Sequence, residues 1–190
     1  KEGDRIATLA WNGYRHFELY YAIAGIGGVC HTINPRLSAD QMIYITQHAE
    51  DKVLCVDLTF VPIVEALAEH FPNDMTYILM ADRAHMPESR INFLCYEELA
   101  EGEPTEFDWV ELAEDTASGL CYTSGTTGNP KGALYSNRST VLHAYTVAIS
   151  LGSVLKEGAR VLPVVPLFHV NAWGLPYTAP LTGCSLIFPG

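Results

Sequence analysis

Short apolar runs of strand length alternate with segments of helical period through the first 80 residues, and that alternation leaves few folds open. "RIATLAW" predicts a strand over residues 5–11. After it, "YRHFELYYAIA" carries Phe17, Tyr20, Tyr21 and Ala24 at helical spacing, which predicts one buried face closed by Gly25, Gly27 and Gly28. "VCHTINP" predicts the next strand. Ser38, with Gln41 three residues on, forms a capping box for a helix that buries Met42, Ile45 and Ala49. Strand "KVLCVD" at 52–57, a helix with Pro62 in its first turn and Val64, Leu67, Ala68 and Phe71 on one face, and strand "TYILM" extend the rhythm. The fold class is therefore α/β, a mainly parallel sheet covered by helices on both faces.

Between Ala81 and Thr116 the pattern gives way to charged and proline-bearing sequence, which predicts a surface connection within one domain rather than a second domain. Two strands, "SGLCYT" and "GALYS", then flank a polar run. A helix from about Asn137 to Leu151 is expected to bury Val141, Leu142, Tyr145 and Ile149, and "RVLPVVP" and "CSLIF" predict two further buried strands.

Eleven basic residues against 22 acidic give a net charge of -11, which argues against a nucleic-acid surface. Any anionic ligand must then be met locally, by a lysine, backbone N–H groups or a bound cation. The five cysteines (Cys30, Cys55, Cys95, Cys121 and Cys184) are scattered, odd in number and without C-x-x-C spacing, so neither a disulfide framework nor a zinc site is expected and a reducing compartment fits best. Cys30-His31, adjacent potential ligands, read as a structural pair at a strand end. No apolar run reaches membrane-spanning length, and a chain that opens on "KEGDRIATLAWN" and stops at "SLIFPG" reads as a piece of something longer.

The polar run is "CYTSGTTGNPKGALYSN", residues 121–137. Ser124, Gly125, Thr126, Thr127 and Gly128 combine hydroxyls with backbone that can turn its N–H groups toward a ligand, and Pro130 stiffens the approach to Lys131, a cation placed for polyphosphate oxygens. A Walker A loop is excluded by spacing, because Pro130 stands five residues beyond Gly125 and Gly132 follows Lys131. Without "PKG", a plain Gly/Thr hairpin with a solvent-facing lysine would account for the rest.

"YTSGTTGNPKG" resembles the signature loop of the adenylate-forming superfamily at every characteristic position from Thr123 to Gly132, departing nearby only in Asn137, where histidine is frequent. "ELYYAIAGIGGVCHTINPRLSADQMIYITQHAEDKVL" and "VVPLFHVNAWGLPY" are similar to segments of fatty-acyl-CoA synthetases, so the resemblance spans nearly all of the chain and is weakest over 71–116. It implies the large N-terminal domain of an adenylating enzyme, with ATP, Mg²⁺, CoA and a fatty acid as its small-molecule partners. By motif position it implies Thr123 as magnesium ligand, Ser124 to Gly128 around the phosphates and Lys131 as catalytic cation. The adenine motif and the small C-terminal domain are expected to lie beyond Gly190, which predicts that these residues alone turn nothing over.

In "VLPVVPLFHVNAWGLPY", most positions read as packing. His169 and Trp173 stand four apart and would share a helix face, a polar ring beside an apolar wall suited to a carboxylate head and its tail. The resemblance places His169, Val170 and Trp173 where acid meets ATP, with His169 as a second catalytic candidate. Two other readings stay open, an adenylating ligase for an aryl, short-chain or amino acid and a non-catalytic module of the same fold. Tyr14, Tyr20 and Tyr21 read either as ordinary core or as part of a homodimer contact.

Overall fold

The computed structural model describes residues 1–123 and 128–188. Its sheet has seven strands in the order β5-β4-β3-β1-β2-β6-β7: β1 (Arg5–Leu9), β2 (Val29–Thr32), β3 (Val53–Val56), β4 (Thr76–Leu79), β5 (Phe93–Cys95), β6 (Ala117–Thr123) and β7 (Lys131–Ser136). All pairings are parallel except β6 with β7, which form an antiparallel hairpin at one edge.

Strand β2 lies on one side of β1 and β3 on the other, so the chain crosses β1 in opposite senses. Right-handed crossovers then put α1 (Tyr14–Gly25) and α2 (Ala39–Ala49) on opposite faces. The strands alternate to match. Ala7, Leu9, Leu54 and Val56 pack with Met42 and Ile45 of α2 and with Val64 of α3 (Val61–Leu67), while Ala10 and Cys55 pack with Leu19, Tyr20 and Ile23 of α1. Ser38 caps α2 as its spacing predicts, accepting from the Gln41 N–H while the Gln41 side chain accepts from the Ser38 N–H.

Four expectations change. Helix α1 buries His16, Leu19, Tyr20 and Ile23 rather than the face through Phe17 and Tyr21; that face instead meets α6 (Leu175–Thr182), where the Tyr21 hydroxyl donates to the Pro176 carbonyl at 2.7 Å. Within 81–116, β5 and α4 (Tyr96–Ala100) add a parallel edge strand and a short helix to the segment expected as connection. Helix α5 (Asn137–Ser150) buries Ala144 and leaves Val141, Leu142, Tyr145 and Ile149 exposed, because α6 approaches along its small residues and no described element covers the larger ones. Finally, "RVLPVVP" and "CSLIF" contribute only two-residue strands, β8 (Arg160–Val161) and β9 (Ser185–Leu186), paired with each other outside the main sheet; Val164 is 85% exposed.

Asn12, just past β1, holds the irregular segment that follows β8. Its Nδ2 donates to the carbonyls of Pro163 (2.8 Å) and Val165 (3.3 Å), and its Oδ1 accepts from the Leu167 N–H (2.7 Å). One side chain thus delivers residues 163–167 to the carboxyl end of the sheet.

Candidate functional site

The β6–β7 hairpin organises the site. Antiparallel pairing sets Thr123 opposite Lys131, Cys121 opposite Ala133 and Gly119 opposite Tyr135. Because side chains alternate along a strand, these six residues share one face, the face of α1. Thr123 and Lys131 stand at its open end, both exposed. Tyr135 is four residues from Lys131, about 13 Å at roughly 3.3 Å per residue. Ser124, Gly125, Thr126 and Thr127 lie outside the described residues. Gly128, beyond them, has φ 110°, a backbone that only glycine adopts without strain.

On the opposite face, Gly132 faces the Tyr122 ring, and a Cβ there would come within 3.3 Å of the ring carbon Cζ. Glycine after the lysine therefore has a packing role as well as a loop role. Burial pushes the Tyr122 hydroxyl up to about 12, so it stays protonated and donates to His48 Nδ1 at 2.6 Å. Beneath it, His31 Nδ1 donates to Asp51 at 2.8 Å with both side chains fully buried, a structural hydrogen bond in line with the reading of Cys30-His31. His31 Nε2 has no hydrogen-bond partner among the described residues.

A cavity of about 370 Å³ opens at the Tyr135 end of the hairpin. Tyr135, Ser139, Thr140 and His143 form its walls on the β7–α5 side; Val170, Asn171, Trp173, Gly174 and Tyr177 form the other. The second wall is a turn of unusual backbone. Val170, Asn171, Ala172 and Trp173 have φ of 43°, 51°, 46° and 56°, and Gly174 follows at 76°. This overturns the expected right-handed helix, so His169 and Trp173 do not share a helix face. Val170 and Trp173 both reach the cavity; His169 precedes the turn in extended backbone and is exposed outside its lining.

Left-handed backbone costs L-residues roughly 1–2 kcal/mol each, so Val170, Ala172 and Trp173 together carry on the order of 3–6 kcal/mol. Tertiary contacts must offset that. Leu167 and Ala172 are fully buried, the Tyr20 hydroxyl donates to the Leu167 carbonyl at 2.6 Å, and His143 Nε2 lies 3.2 Å from the Trp173 carbonyl as its donor. Gly174 is required where it stands, since a Cβ would fall 2.6 Å from His143 Cδ2.

Of the residues lining this cavity, Val170 and Trp173 were named from the sequence, and Tyr135, Ser139, Thr140, His143, Asn171 and Tyr177 were not. Three of these had a signal available: Tyr135, Ser139 and His143 stand four residues apart just after "PKG". No group of three His, Cys, Asp or Glu side chains among the described residues is arranged to hold a metal ion.

The β6–β7 hairpin and the mixed polar and apolar cavity beside it thus form the candidate site of an α/β domain. The chain belongs to the family whose model is described as AMP-binding enzyme, which matches residues 1–190. It is 50% identical to a medium-chain-fatty-acid–CoA ligase of Ectopseudomonas oleovorans over 98% of this chain and 34% of that protein. It is also 50% identical to a 3-methylmercaptopropionyl-CoA ligase of Ruegeria pomeroyi, over 98% of this chain and 35% of that protein. Among solved structures, the inhibitor-bound N-terminal domain of FACL13 from Mycobacterium tuberculosis superposes with a TM-score of 0.77 at 28% identity, covering 98% of this chain and 44% of that one. The chain thus spans about a third of the length of the curated relatives it matches.

Proposed function

We propose that this chain is the N-terminal part of an ATP-dependent fatty-acyl-CoA ligase. The observation that carries the reading is the hairpin face: Thr123 and Lys131 at one end, the Tyr135 cavity at the other, in a chain whose family is AMP-binding enzymes. A polyphosphate at the tip and an acyl tail in the cavity bring a carboxylate between them, toward the α-phosphate.

In the first step a carboxylate oxygen attacks the α-phosphorus of ATP, the bond from that phosphorus to the bridging oxygen breaks, and pyrophosphate leaves with the negative charge. Both reactants are anions, so the site's task is electrostatic. Lys131 supplies fixed positive charge at the tip, and Ser124, Gly125, Thr126, Thr127 and Gly128 donate hydrogen bonds to the phosphate oxygens. Val170, Trp173 and Tyr135 exclude water around the acyl chain, and His169, at the exposed entry to the turn, meets the carboxylate side. In the second step the CoA thiolate attacks the acyl carbonyl and AMP departs. No enzyme nucleophile is needed.

Thr123 suits Mg²⁺, which keeps most of its ligands as water and phosphate oxygens and needs few from protein. Its hydroxyl is exposed at the strand end, with only a long 3.4 Å contact, to the Lys131 carbonyl, among the described residues. When bound, the ion neutralises charge on the phosphates and the departing pyrophosphate.

A second reading keeps the chemistry and changes the acid. Relatives named for a medium-chain fatty acid and for 3-methylmercaptopropionate are equally identical to this chain, and Ser139, Thr140 and His143 give one cavity wall polar groups. Five unpaired cysteines support a reducing compartment, and no described helix is long and apolar enough to cross a membrane. A homodimer would use the exposed Tyr14 and Tyr21, since Tyr20 is core.

Acid-dependent ATP–pyrophosphate exchange by the complete protein tests the assignment. Lys131→Ala should slow exchange by on the order of a hundredfold, and Thr126→Ala should also reduce it. Wild-type exchange rates in Lys131→Ala would remove the lysine from the mechanism.

A further inference from the structure

The left-handed turn is held from several sides, and one side chain inside it has the right chemistry for that work. Asn171 Oδ1 lies 3.3 Å from Cys121 Sγ and 3.2 Å from the Tyr20 hydroxyl. Burial raises the thiol's pKa above its ordinary value, so Cys121 keeps its proton and can donate it. Thr32 Oγ1, 3.1 Å from the same sulfur, ties the thiol to β2. The Tyr20 proton goes chiefly to the Leu167 carbonyl at 2.6 Å, with Asn171 taking the weaker share. Asn171 therefore joins the middle of the turn to α1 and β6 directly, and to β2 through Cys121.

Asparagine tolerates left-handed backbone better than most residues and carries an acceptor on a short stem. Glycine offers only the first property. Its neighbours Val170, Ala172 and Trp173 have no such tolerance, so the turn's conformation depends on what Asn171 grips.

We propose that Asn171 is a positioning residue that locks the left-handed turn onto Cys121 and Tyr20, and thereby sets where Val170 and Trp173 stand against the acyl chain of the substrate. This rests on the ligase reading given above. It assigns to a part-buried thiol–amide contact the control of acid affinity, separate from the phosphate end of the hairpin.

The test uses Asn171→Gly, which keeps the backbone tolerance and removes the grip, together with Cys121→Ala and the conservative Cys121→Ser. In the complete protein, Asn171→Gly should raise the KM for the acid roughly tenfold, the weight of one or two hydrogen bonds, while the KM for ATP stays within about twofold. Cys121→Ala should move the acid KM the same way and Cys121→Ser should restore it. Hydrogen exchange gives a readout independent of catalysis: amides of residues 170–174 should exchange at least about tenfold faster in Asn171→Gly, with β6 unchanged. Unaltered exchange at the turn, or acid and ATP KM rising together, would overturn the proposal. A wild-type protein inactive on every acid tried would sink the ligase reading instead, leaving the exchange result to judge the grip.

Discussion

His16 ties the stability of this fold to pH. Its ring is fully buried beneath α1, with Nδ1 donating to the Trp11 carbonyl at 3.0 Å and Nε2 accepting from Thr8 Oγ1 at 2.9 Å. Burial lowers its pKa from 6.5 to about 4, outweighing the bond to Trp11, which acts the other way. The folded state thus keeps the ring neutral where the unfolded chain takes up a proton. With the folded pKa depressed, the contribution is fully present above 6.5 and is lost as pH falls toward about 4. Each pH unit in that window costs about 1.4 kcal/mol, so lowering the pH from 7 to 4.5 should remove roughly 2.5 kcal/mol through this residue alone. Carboxylates titrate in the same range, so the measurement is a difference. Urea unfolding of the wild type and of His16→Gln at both pH values isolates the histidine, and the wild type should lose about 2.5 kcal/mol more than the variant. Parallel losses would refute the argument, because they would mean that the folded state accommodates a protonated ring.

Two further substitutions test the scaffold of the site. Asn12→Ala removes three hydrogen bonds holding residues 163–167 and should cost about 2–3 kcal/mol, read by urea unfolding, with a raised KM for the acid. Gly174→Ala combines a left-handed position with a clash against His143 and should cost about 2–3 kcal/mol through lost backbone freedom and the broken His143–Trp173 bond; an unchanged unfolding midpoint would contradict the assigned geometry.

Much of the sheet was legible because its strands are buried on both faces and its helices are amphipathic, so period alone separates them. Met42, Ile45 and Ala49 of α2 illustrate this, with the Ser38–Gln41 box marking the start. Strand β5 was not legible: three residues cannot display a period, and pairing with β4 decides their conformation. In α1 the pattern was real but the buried face was displaced by one residue, since α6 offers the Phe17–Tyr21 side a second, half-buried surface. In α5 the expected row is apolar yet exposed, and the helix packs through Ala144 instead. Hydrophobic spacing reports that a face is to be covered; it does not say by what.

The turn at 170–174 shows the limit most clearly. Local preference opposes it at Val170, Ala172 and Trp173, and only Asn171 and Gly174 favour it. What imposes it comes from distant parts of the chain: Asn12 delivering the preceding segment, Tyr20 and Cys121 gripping Asn171, and His143 at the Trp173 carbonyl. A right-handed helix from His169 would satisfy the local sequence and turn the same side chains differently. The cavity wall is therefore set by contacts 30 to 155 residues apart in sequence or by none at all, and shape at this end of the hairpin should respond to substitutions in β6, α1 and α5 that never touch the ligand. The phosphate end has the opposite character. Thr123 and Lys131 are aligned by their own hairpin pairing, which is why the loop motif could be recognised by sequence while the cavity could not.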